Sequence, residues 1–141
     1  MKITSKQINH IAQELEMGMK VYINTETLEY IAIPKDDILM MDSEPWEEAL
    51  EEINYKWPGF ILIEEMDSRE AYKIMEAFVS EIDDPEFQQK LIRILDNRRP
   101  FANFKNEIDW SDYREAWFAF RTKKHEEYIK SLLDLEDFDC E

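Results

Sequence analysis

Gly18 and Gly59 are the only glycines among 141 residues, and that scarcity closes off whole groups of folds. Backbones that cradle a phosphate or a dinucleotide need several glycines within one turn, because only a residue without a side chain lets the ligand approach so closely. Gly-rich nucleotide loops are therefore excluded. A Gly-x-Ser-x-Gly nucleophile elbow is excluded on the same ground. The chain still has ample material for a core: 44% of residues are hydrophobic and 13% aromatic, which separates it from the acidic tails that stay disordered.

The apolar pattern changes period along the chain. Thr4 followed by Gln7 reads as a capping box, and Ile8, Ile11, Ala12 and Leu15 recur at helical spacing, predicting a helix over about Ser5 to Met17 that stops at Gly18. Val21 to Ile23 and Leu28 to Ile33, either side of Asn24-Thr25-Glu26-Thr27, predict a hairpin closed by Pro34. Asp36 to Asp42 reads as a loop. Ser43 and Pro45 open a short helix, Trp46 to Tyr55, that Pro58-Gly59 stops, and Phe60 to Ile63 adds a third strand.

Beyond the strands the period is helical. Asp67 and Glu70 form a second capping box ahead of Tyr72, Ile74, Met75, Phe78, Val79 and Ile82. Asp84-Pro85 starts the run Phe87, Leu91, Ile94 and Leu95, which Asn97 is placed to end in a left-handed conformation. Phe101, Phe104 and Ile108 predict a short helix, and about Asp112 to Leu133 a long one. The expected fold class is α+β, a small antiparallel sheet near the N-terminus with a predominantly helical C-terminal half. A single domain is expected over 1–133, with 134–141 an acidic, mobile tail.

From Phe60 onward the order of features resembles a known family. Asp67-Ser68-Arg69-Glu70-Ala71-Tyr72 with Met75 and Phe78, then Arg98 to Phe101, Phe104-Lys105, and Trp117-Phe118-Ala119-Phe120-Arg121 are similar to the uncharacterised bacterial protein family UPF0158. The resemblance spans Phe60 to Leu133, about half the chain. One departure is Asn97, where the family often has Gly; both tolerate the left-handed stop. The resemblance implies an order of elements and candidate positions, and no reaction.

Charge is sorted unevenly. The chain holds 33 acidic and 17 basic residues, a net charge of -16; Asp36 to Asp67 has eleven acids and one base, while Lys90 to Lys124 has nine bases and five acids. Arg114, Phe118, Arg121 and His125, spaced by four, three and four, share one helix face, and Arg98, Arg99, Phe101, Phe104 and Lys105 come from the preceding segment. Guanidinium groups beside aromatic rings hold carboxylate, phosphate or a stacked base, so one reading is an anion groove between the 98–105 segment and the last helix. The competing reading pairs these arginines with the surplus carboxylates and places the aromatics in the core.

Other chemistry finds thinner support. His10 and His125 are far apart and His125-Glu126 lacks the second histidine of a zinc helix, so no metal site is expected. Asp134, Glu136, Asp137 and Asp139 lack the glycine of a calcium loop and read as a solvated tail. Cys140, the lone cysteine, has no fixed base; it rules out a disulfide framework and fits a reducing cytoplasm. The acidic stretch Asp42 to Glu52 reads either as a nucleic-acid mimic or, given Trp46, Leu50 and Ile53 on one side, as a solvated helix face.

Lys2, Lys6 and His10 interrupt any signal-peptide run, and no apolar stretch approaches the roughly 20 residues of a membrane span. These readings converge on a cytoplasmic, non-catalytic interaction or regulatory module, without cofactor, whose partner is a protein or a small anionic ligand. The alternatives are an enzyme acting on a phosphorylated or carboxylated small molecule, with Glu65 or Glu70 as general base, and a single-stranded nucleic-acid binder, which the net charge disfavours.

Overall fold

The computed structural model describes residues 2–35 and 44–140. These divide into two compact units, Met1–Glu65 with His125–Glu141 and Met66–Lys124.

The first unit begins with the expected capping box. Thr4 Oγ1 accepts the Gln7 N–H at 3.1 Å and Gln7 Oε1 accepts the Thr4 N–H at 2.9 Å, which satisfies two of the donors that a helix start leaves open. Helix α1, Ser5–Glu16, buries Ile8, Ile11, Ala12 and Leu15 on one face. Gly18, at φ 86°, turns the chain into the sheet, a conformation that any side chain would strain. Strands β2 (Met19–Asn24), β3 (Tyr30–Pro34) and β4 (Phe60–Ile63) form an antiparallel sheet of order β3-β2-β4, with Val21 opposite Ala32 and Ile63.

Alternation gives the sheet two working faces. Val21, Ile23 and Ile63 pack with α1, while Tyr22 and Ile33 pack with Ile53, Trp46 and Leu50. The latter three come from α2, Glu44–Glu51, and from the π-helical turn Glu52–Lys56 that continues it, where a single helix to Tyr55 was expected. Asn24 shapes the hairpin: its Oδ1 accepts the N–H groups of Glu26 and Thr27, at 2.8 and 3.2 Å. Leu28, expected in the strand, instead takes φ 64° within that turn, and β3 begins at Tyr30. The 36–42 loop and the Ser43 cap lie outside the described residues.

The acidic end has backbone pairing of its own. Asp134 and Leu135 complete the last helix, the Phe138 N–H returns to the Leu133 carbonyl at 3.0 Å, and β5 (Asp139–Cys140) runs parallel to β1 (Lys2–Ile3). Phe138 and Cys140 pack on the core of α1 and the sheet. The apolar side chains interspersed among the acids supply the burial that a mobile tail lacks.

The second unit is helical. Helices α3 (Ser68–Ser80) and α4 (Pro85–Leu95) carry Asp caps: Asp67 Oδ1 accepts the Glu70 N–H at 2.9 Å, and Asp84 Oδ1 those of Glu86 and Phe87. Helix α5 is Pro100–Asp109, and α6, Arg114–Leu135, contributes its first half here and its second half to the first unit. Trp117 is the hub of this core, with Phe104 and Phe78 edge-on at 4.9 and 5.3 Å. Helix α4 does not end in a left-handed Asn97. Asn97 instead donates its Nδ2–H to the Arg93 carbonyl, and Arg99, at φ 53° and ψ 53°, makes the left-handed turn. The Pro100 ring keeps Arg99 out of the right-handed helical conformation, so the chain breaks there before α5 begins.

Candidate functional site

The predicted cluster falls within the second unit, and its members part company there. Phe104 is 1% exposed and belongs to the core. Phe101 stays on the surface at 42%, and Arg98, Arg99 and Lys105 are exposed around the start of α5. On α6, Phe118 is bracketed by two guanidinium groups, Arg114 at 4.6 Å and Arg121 at 5.2 Å from the ring centroid. Arg114 also lies 3.8 Å from Asp109. His125, on the same predicted face, is committed elsewhere: it belongs to the first unit, where its Nδ1 lies 2.9 Å from Glu16 Oε1.

A cleft of about 280 Å³ opens between α4 and α5. Lys90, Arg93 and Asn97 come from the α4 side, Asn103, Asn106 and Glu107 from α5, and Arg98-Arg99 form the turn that joins the two. Lys90 Nζ reaches Glu107 Oε2 at 3.0 Å across it. Asn97 and Asn103 each donate one amide hydrogen to a carbonyl, of Arg93 and Arg98 respectively. A carboxamide has a second hydrogen to give, so both remain able to donate. Arg99 places no side-chain cap on α5, in contrast to the Thr and Asp caps of α1, α3 and α4. The first N–H groups of α5 thus add positive potential at the turn.

Asn103 and Asn106 were not singled out from the sequence, and Asn97 only as a helix stop. A signal was present: Asn103 and Asn106 lie three apart on one face of a ten-residue helix, and Asn is a weak helix former kept out of helix interiors by its affinity for turns.

Comparison with known proteins decides the family. The model of the uncharacterised protein family UPF0158 matches residues 29–140. The chain belongs to the UPF0158 family. A UPF0158 protein of Pseudomonas aeruginosa is 20% identical over 110 residues, covering 77% of this chain and 72% of the relative. No solved structure matches the chain. The UPF0158 match takes in the sheet from β3 onward as well as every helix of the second unit.

The remaining candidates are ordinary surface groups. Glu65 pairs with Lys35 and Glu70 lies 3.8 Å from Lys73, all four side chains at least one-third exposed. Neither carboxylate has the burial that tunes a general base. Among the described residues no group of three or more His, Cys, Asp or Glu is placed to share an ion, and no helix is long and apolar enough to cross a membrane. Tyr30, Tyr72 and Tyr113 each have a pKa raised above the usual 10.0; for Tyr113 the first cause is the hydrogen bond that it donates to Asp83 Oδ1 at 2.8 Å, followed by desolvation and the charges of Asp83 and Asp84.

Proposed function

We propose that this UPF0158 chain is a cytoplasmic, non-catalytic binding module that takes an anionic group of a partner protein at the α4–α5 turn. The observation that carries the reading is the cleft itself: Lys90, Arg93 and three asparagine amides line it against one carboxylate, Glu107, in a chain of net charge -16. Arg98, Arg99 and the uncapped start of α5 extend the same donor surface. Arg114, Phe118 and Arg121 hold each other in a stack, so their first role is to stiffen α6. A local cationic patch in an acidic molecule acts at short range, within the roughly 8 Å that physiological salt leaves unscreened.

Amide-resolved NMR titration with inorganic phosphate tests this. Saturable shifts over Asn97 to Asn106, lost in Arg93→Ala with Arg98→Ala at unchanged melting temperature, support the reading. Shifts that persist in that double variant, or no saturation at any phosphate concentration, refute it. A fall in melting temperature without any phosphate response returns the arginines to a purely structural role.

A further inference from the structure

A second cavity lies on different walls. A trough of about 520 Å³ separates the C-terminal end of α3 from the first half of α6. Phe78 and Ile82 form one side, Ala116, Ala119 and Phe120 the other. Ala116 and Ala119 are three apart and exposed, and their small side chains leave the space above the buried Phe78 and Ile82 open.

Charge is sorted along its length. At one end Asp83 meets Tyr113, and ten positions along the α6 wall stands Lys123. Tyr113 and Lys123 are ten positions apart, on the order of 15 Å at about 1.5 Å per residue of helix. An extended chain of about five residues spans roughly 14 Å between its end Cα atoms at about 3.4 Å per step.

We infer that the trough docks a short apolar segment of a partner protein, about five residues long, with a basic residue at the Asp83 end and an acidic one at Lys123. The apolar middle covers Phe78, Ile82 and the alanines, which is where the hydrophobic gain arises. The end charges set register and direction. An uncharged apolar ligand leaves both ends unused. The inference is independent of the α4–α5 cleft, with which the trough shares no lining residue.

The test is an NMR titration of the full chain with three probes: the capped pentapeptide Lys-Leu-Ala-Leu-Glu, its neutral counterpart Gln-Leu-Ala-Leu-Gln, and benzylamine. The charged peptide is expected to give saturable shifts within 78–83 and 113–123, with the neutral one about tenfold weaker. Asp83→Asn should weaken the charged peptide by a similar factor. Ala119→Trp, at a solvent-facing position that fills the trough, should abolish the shifts while circular dichroism confirms the fold. Equal binding of both peptides, benzylamine binding as tightly as the peptide, shifts that survive Ala119→Trp, or no saturable shift at millimolar peptide each overturn the inference.

Discussion

His125 Nδ1 lies 2.9 Å from Glu16 Oε1, a polar pair joining α6 to the end of α1, with His125 only 8% exposed. Removing one side leaves the other withdrawn from water without that partner, which costs more than the bond itself contributes. His125→Ala is therefore expected to destabilise the protein by about 1–3 kcal/mol in urea denaturation. Glu16→Gln keeps an acceptor and should lose less than Glu16→Ala; equal losses would contradict the role given to this bond.

Phe101 and Phe104, three positions apart on α5, should separate cleanly. Phe104→Ala opens a cavity against Trp117 and is expected to cost about 3–5 kcal/mol. Phe101→Ala, on the surface, should change stability by about 0.5 kcal/mol or less. Comparable losses would place Phe101 in the core as well.

Tyr113 gives an alkaline signature. Its pKa is raised, first by the hydrogen bond to Asp83, so the protonated phenol is the form that the fold favours. That contribution is complete below the ordinary value of 10.0 and is lost as pH climbs through the raised value. Ultraviolet phenolate titration should therefore show that Tyr113→Phe removes a late-titrating group. Stability measured on either side of pH 10.0 should fall less steeply in the variant than in the parent chain.

Ending the chain after Leu135 removes the β1–β5 pairing and Phe138 from the core of the first unit. A loss of about 1–3 kcal/mol is expected. A truncated protein as stable as the parent would restore the picture of a mobile acidic tail.

The elements that the sequence made legible are those fixed by local chemistry. Thr4 with Gln7, Asp67, and Asp84-Pro85 each state a helix start within four residues, and the expected starts are the observed ones. Phe60 to Ile63 joins the hairpin as expected because its run is short, apolar and bounded by Pro58-Gly59. The departures belong to long-range packing. Nothing local to Asp139 and Cys140 announces that they will lie beside Lys2 and Ile3. Helical spacing placed His125 with the arginines of its own helix, but its partner sits 109 positions away on α1. The basic island was visible as composition. Its division into a stacked Arg114–Phe118–Arg121 ladder and an open α4–α5 cleft depends on how four helices pack around Trp117.

The first unit is assembled from two stretches of chain with the whole second unit between them. The apolar face of α1 therefore packs on residues, Ile129 and Leu133, that follow the whole second unit in the chain. Without them Ile8, Ile11 and Leu15 are left with the sheet residues Val21, Ile23 and Ile63 to pack on. A chain cut before His125 would thus keep every residue of the second unit and lose part of the core of the first.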